Sequence, residues 1–354
     1  MTVPAEPYLP SPAACARLEQ IVQRWDGSLT LRTGETHVEY ALPSHASAEI
    51  RTYLQSYASV NFERAYVARL PGGRVFGSGN VLSPDGEMIA RDVSPDFGKP
   101  FDDHWLLNYR RIRPPVSLPG TTAVIATTLG VGYSHWLLEE LPRLIPLKPD
   151  ECETLIAHTG HAYQREAVAL HGFTGKVLPA KRYAHHRCEQ LIVPSPGHPT
   201  LTTLHTIGRF TAPLLLSAAT SGERLYISRA KARRRRVANE SKLWAKLSAH
   251  GFVRLFLEDL TWQEQINAFR GAKVIVAPHG AGLANLAFCP PGTRVIELFH
   301  RSYVNGYYWQ LAALKALDYR PVAIEGDAPL AQDLSANRND IEANVDQVLQ
   351  ALST

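Results

Sequence analysis

The sequence predicts an α/β protein built from two βαβ domains, with a hairpin-rich segment ahead of them. Three observations carry that prediction. Short apolar runs without polar alternation, such as Val274-Ile275-Val276, suit strands of a sheet covered on both faces. Stretches of helical spacing alternate with these runs, the order that parallel strands with crossover connections require. At 354 residues the chain also exceeds one ordinary domain, which favours two cores.

In chain order, residues 1–115 carry short alternating runs such as Ala65 to Leu70, separated by the turns Pro71-Gly72-Gly73 and Pro84-Asp85-Gly86. This pattern reads as hairpins. From Thr121 the texture changes. Ala123 to Ala126 reads as a buried strand, followed by Gly130, Gly132 and a helix capped by Ser134. Thr154 to Ala157 and Leu191 to Val193 supply further strands, with a helix from Gln164 to His171 between them, and an apolar helical stretch spans 199–216. The first domain is therefore 1–219, its βαβ part 120–219, and Thr220 to Gly222 is the hinge. The second domain, 220–330, reads as strands Arg224 to Ile227, Val253 to Leu257, Lys273 to Val276 and Arg294 to Leu298. Helices from Ser241 to His250, Thr261 to Phe269 and Ala281 to Phe288 lie between them. Ligands of such sheets bind beyond the carboxyl ends of the strands, so the cleft between the domains is the expected site.

Composition narrows the function. Apolar residues make up 45% and charged residues 20%, and the net charge is +4, too mild for a dedicated nucleic-acid protein. Cys15, Cys152, Cys188 and Cys289 lie far apart, which suits neither a zinc site nor a disulfide framework. The amino terminus lacks the basic-then-apolar pattern of a secretory signal, and no segment approaches 18 uninterrupted apolar residues. A cytoplasmic setting is the expectation.

Three stretches carry chemistry. In Val274 to Leu286 a strand stops at Pro278. Gly280 and Gly282 then let backbone approach a ligand, and a helix begins near Ala281, a construction suited to anions. In Tyr226 to Glu240 a strand end delivers Arg229, Lys231 and Arg233 to Arg236, read either as a solvated basic face or as guanidinium groups for a phosphate. A helix N-terminus contributes roughly 0.3–1 kcal/mol towards an anion and each charge-assisted arginine bond about 1.5–3 kcal/mol. Their sum approaches the roughly 4–8 kcal/mol of millimolar to micromolar binding without a metal. No D-x-D pair and no G-x-x-x-x-G-K-[ST] loop occurs. Glu297, a carboxylate inside an apolar strand, either accepts from ribose hydroxyls or pairs with a nearby arginine. In Gly130 to Leu144, His135 and Glu139 are four apart and share a helix face, so either can serve as a general base, the other orienting it. A surface histidine at a domain interface is the plain alternative. Arg143 reads as a structural ion pair and Trp136 as core.

Three blocks then stand in one order: G-Y-S-H-W-L-L-E-E-L-P-R-L, Y-I-S-R with R-R-R-V-A-N-E, and H-G-A-G-L-A-N with P-G-T-R-V-I-E-L. This combination, from Gly130 to Phe299, resembles glycosyltransferase family 61, which includes bacterial capsule-biosynthesis-like proteins, plant xylosyl- and arabinosyltransferases and animal O-linked N-acetylglucosaminyltransferases. The resemblance implies a GT-B-like fold, two Rossmann-type domains facing a central cleft. A C-terminal helix within 331–354 would pack back on the first domain. It also implies an inverting transfer of a sugar from a nucleotide donor held in the C-terminal domain; the expected donor is UDP-linked, the expected acceptor a saccharide or lipid-linked glycan, and the phosphate-binding sum above needs no metal. Carried over, Arg229, Arg234, Arg235 and the turn His279, Gly280, Ala281 and Gly282 would hold the diphosphate, Asn285 would support the turn, and Glu297 would contact the ribose. His135 or Glu139 would be the base. Because the chain lacks the signal and disulfide cysteines of secreted eukaryotic members, a bacterial enzyme of surface-polysaccharide synthesis fits best, with peripheral contact at the inner membrane face. The rival readings are a nucleic-acid-binding protein using Arg233 to Arg236 and a GT-B-fold sugar-nucleotide epimerase.

Overall fold

A computed structural model describes residues 8–215, 222–323, 329–333 and 335–353 of the chain. It is a mixed α/β protein whose contacts divide it into two compact units, Met1–Thr36 with Phe62–Pro199, and His37–Asn61 with Thr200–Thr354. The hinge expected at Thr220 to Gly222 falls mostly on residues outside those described.

The first unit is organised on a ten-stranded mixed sheet. Four parallel strands lie side by side in the order Lys176–Pro179, Thr154–Ala157, Val116–Val124 and His185–Pro194. All four residues of Thr154–Ala157 are buried, as an unalternated run in such a sheet should be. The Lys176–Pro179 strand escapes a sequence reading because it is short, ends in proline and lies at the edge. Beyond His185–Pro194 the sheet turns antiparallel.

There the hairpin expected at Pro71-Gly72-Gly73 does not form. Ala65–Pro71 and Arg74–Phe76 both pair with His185–Pro194, one after the other. Gly72 N–H donates to Glu189 O, and Cys188 N–H donates to Gly73 O, so pairing continues through the glycines. A side chain on Gly73 would run into Leu70 and Leu191. The Pro84-Asp85-Gly86 turn does close a hairpin between Asn80–Leu82 and Met88–Ala90, with Gly86 in the left-handed region at φ 82°. Leu70, Val81, Val124, Ile156 and Leu191 form the apolar centre of this unit.

The second unit contains a five-stranded parallel sheet ordered Val253–Leu255, Arg224–Ile227, Val274–Pro278, Arg294–Phe299, Asp318–Ala323. Numbered along the chain, this order is 2-1-3-4-5, a doubly wound sheet whose connections part company between Arg224–Ile227 and Val274–Pro278. The helix Trp262–Gly271 starts where Thr261 accepts from Glu264 N–H while the Glu264 side chain returns to Thr261 N–H, a complete capping box. The apolar run after Gly280 forms as a 3-10 helix, Ala281–Phe288, rather than an α-helix.

Residues 37–61 join this unit instead of the first. Trp309 Nε1 donates to Ala41 O at 3.0 Å and Tyr53 donates to Val304 O at 3.1 Å. The C-terminal helix Val345–Ser353 likewise differs from expectation: Val345 and Val348 enter one apolar cluster with Leu243, Leu247 and Ile296 of the second unit. Asn239 anchors the segment before it, exchanging two hydrogen bonds with the backbone of Ala343.

Candidate functional site

Arg229 leaves the end of Arg224–Ile227, and His279 leaves the end of the adjacent Val274–Pro278, so the two motifs meet where the strand order reverses. The guanidinium of Arg229 lies directly on Gly280, and a Cβ at that position would overlap Nη1. Gly280 is in extended backbone that any residue adopts, at φ 173°, so close approach by the arginine is what excludes a side chain. Gly282 has a similar reason, since a Cβ would meet Leu257. The two glycines thus make room for neighbouring protein groups, a different use from the ligand approach that their spacing suggests. Asn285 braces the same region by donating to Gln265, whose own amide donates to Leu257 O and Leu260 O.

Electrostatically the strand ends are cationic. Arg229 is mostly buried, and desolvation, reinforced by Arg235, pulls its pKa down to about 10, so it remains charged at neutral pH. Its Nη2 donates to Arg234 O at 3.0 Å, which holds the guanidinium in place. Arg235 is also lowered, by burial above all, and its guanidinium stands over the Tyr303 ring at 5.4 Å. The Nε atoms of both arginines are buried without a hydrogen-bond partner. Two desolvated like charges with unanswered donors favour an anion between them.

Three further members of the basic run are tied down. Lys231 pairs with Asp259 at 2.5 Å and Arg236 with Asp340 at 2.8 Å, while Arg234 donates to the Asn337 side chain. Ser228 and Tyr226 both donate to Glu240, joining the start and end of the Y-I-S-R and A-N-E blocks.

Glu297 corrects the ribose expectation. It is fully buried, and its oxygens are taken by His279 Nδ1–H at 2.5 Å and the Tyr319 hydroxyl at 2.5 Å. Its role is to fix the His279 ring, which stacks on Phe299 and is flanked by Tyr303 and Tyr308. Glu297→Ala should strand two buried donors and lower stability by about 2–5 kcal/mol in urea denaturation. Unchanged stability would show that the carboxylate is not their shared acceptor.

His135 and Glu139 belong to the first unit. Gly132, not Ser134, caps the helix, which starts as Tyr133–His135 and widens into a π-helical turn, Trp136–Glu140. Pro142 removes one N–H from the ladder, and Leu141 N–H reaches back five residues to Trp136 O. His135 Nδ1 meets Glu139 Oε1 at 2.7 Å, and the ring keeps a third of its surface exposed. Its carboxylate-oriented imidazole has the form of a general base. Trp136 is core, 2% exposed. Arg143 is fully buried, pushed down to about 10 by desolvation, and donates to Pro194 O and Ala126 O rather than sitting in a close ion pair.

A second dyad was not visible in the sequence. Glu140, beside Glu139, is fully buried and accepts from Thr127 N–H, His158 N–H and His158 Nδ1 at 2.7 Å. Gly130 allows it, since a Cβ there would overlap the carboxylate. The Glu139-Glu140 doublet ahead of a proline was the available signal.

Taken alone, the second unit is a doubly wound α/β unit with an anion-receptive strand end. Residues 133–296 match the family model Glycosyltransferase 61. Two curated relatives agree. The chain is 28% identical over 75 residues to a beta-1,2-xylosyltransferase of Oryza sativa subsp. japonica, and 34% identical over 98 residues to an EGF domain-specific O-linked N-acetylglucosamine transferase of Drosophila melanogaster. The matches cover 21% and 27% of this chain, and only 14% and 18% of the relatives.

Proposed function

We propose that the chain is a glycosyltransferase that moves a sugar from a nucleoside-diphosphate donor to a hydroxyl of a saccharide acceptor, with inversion. The observation that carries this reading is the apposition of the Arg229 guanidinium and the Gly280 turn, with the Nε donors of Arg229 and Arg235 unanswered. In the proposed step, His135 oriented by Glu139 takes the proton of the acceptor hydroxyl, and the hydroxyl oxygen attacks the anomeric carbon. The bond from that carbon to the diphosphate oxygen breaks, and its electron pair leaves with the diphosphate against Arg229 and Arg235. Incubation of the purified chain with a panel of nucleotide sugars and glycoside acceptors, read by product mass and anomeric configuration, tests the reaction. Free sugar released without an acceptor would favour the epimerase instead.

The GT-B arrangement and a place in surface-polysaccharide synthesis on the cytosolic face are part of the same proposal, carried by the sequence resemblance. A nucleic-acid role for Arg233 to Arg236 is less well supported, because Arg236 and the neighbouring Lys231 are held by carboxylates. Among the described residues no three His, Cys, Asp or Glu side chains cluster as metal ligands. As part of the same proposal, the arginines neutralise the leaving group without a metal, and activity should persist in excess chelator. A strict manganese requirement would overturn that assignment.

A further inference from the structure

We infer that the first unit holds a dedicated subsite for one neutral sugar unit, in the pocket where Asn80, Thr128 and His158 converge. Three buried polar atoms, Asn80 Oδ1, Thr128 Oγ1 and His158 Nε2, have no hydrogen-bond partner, and all three residues line one pocket of about 430 Å³. That size falls within the roughly 300–1,000 Å³ of small-molecule sites. Buried polar groups are nearly always satisfied, so three unmet groups on one cavity mark a site built for a ligand rather than a packing fault. Asn80 and His158 are 1% and 6% exposed, so neither is a surface group that water would satisfy at no cost.

The local structure explains how these atoms come together. Thr128 and His158 lie just past the ends of the parallel strands Val116–Val124 and Thr154–Ala157. Asn80 is presented by the turn after Phe76, whose carbonyl its Nδ2 already engages at 3.1 Å, leaving Oδ1 as an unanswered acceptor. Gly79, at φ 100°, lets that turn press against Ala126, where a Cβ would overlap the carbonyl.

The chemistry selects the ligand class. Glu140 accepts from two backbone N–H groups and from His158 Nδ1, which leaves His158 Nε2 as the ring nitrogen still to be satisfied. An amide oxygen, a hydroxyl and a ring nitrogen suit the hydroxyls of a sugar, and the Arg182 guanidinium on the same lining stands over the Tyr183 ring at 5.2 Å. Trp105 and Tyr109, set edge to face at 5.5 Å on the same wall, supply the aromatic surface on which the C–H face of a pyranose packs. The loop that carries Thr128 runs on into the helix of His135. Calling this sugar the acceptor rests on the glycosyl-transfer reading; the binding itself does not.

Titration of the full chain with methyl β-D-xylopyranoside, methyl β-D-glucopyranoside and methyl N-acetyl-β-D-glucosaminide, followed by ligand-observed NMR, tests the subsite. At least one glycoside should bind, and Thr128→Val, which keeps the shape and removes the hydroxyl, should weaken it about 3- to 10-fold. Tyr109→Ala, at a half-exposed position, should weaken it too while leaving UDP affinity unchanged. UDP titration reports on the donor reading separately. UDP binding with no glycoside bound, glycoside binding indifferent to both variants, or displacement of the glycoside by inorganic phosphate would each overturn the subsite.

Discussion

His135→Ala should cut turnover by roughly 10²–10⁴-fold, the usual range for loss of a general base, while UDP affinity stays within a few-fold. The separation is expected because His135 lies in the first unit and the cationic strand ends in the second. Glu139→Gln should fall between wild type and His135→Ala, since the amide still meets His135 Nδ1 but no longer stabilises a protonated ring. Initial rates at saturating donor, paired with calorimetric UDP titration, provide both numbers. Full activity in His135→Ala would remove this residue from the proton transfer and leave Glu139 to be tested as the base.

The second large effect is at Arg229. Arg229→Ala should weaken UDP binding about 10- to 100-fold, corresponding to one charge-assisted contact of roughly 1.5–3 kcal/mol. Gly280→Ala offers a control in which every charge is kept: the new Cβ would occupy the place of the guanidinium and force it aside. A loss of similar size from both variants would locate the effect in the geometry of the Arg229–Gly280 contact. If both bind UDP like wild type, the donor assignment fails, whatever family the chain belongs to.

Much of the second unit is legible in the sequence because its central strands are continuous apolar runs bounded by turn residues. Val274–Pro278 and Arg294–Phe299 read directly. Asp318–Ala323 does not, since it begins with an aspartate and buries Arg320, whose charge is met by Asp318 only in the fold. Membership of residues 37–61 in that unit is equally hidden, because contacts such as Tyr53 with Val304 span 251 positions. At the site, the strand-end arginine and glycines were identifiable from local pattern. The purpose of each glycine was not, because Arg229 and Leu257 arrive from distant segments. Glu297 could be recognised as a paired buried carboxylate, but its partners required the register that sets Tyr319 beside it. Asn80, Thr128 and His158 come from three separate segments with no shared motif, and only folding shows them as a group.

The widened turn at Trp136–Glu140 has an evolutionary corollary. Successive residues of a regular helix are roughly 100° apart, and here neighbouring glutamates answer two different histidines, Glu139 serving His135 and Glu140 serving His158. Loss of a single codon within this stretch would let the coil relax to uniform pitch and swing one glutamate off its partner. Descendants of this gene should therefore tolerate spelling changes at Leu137 or Leu138 far better than any change in the count of residues between His135 and Pro142.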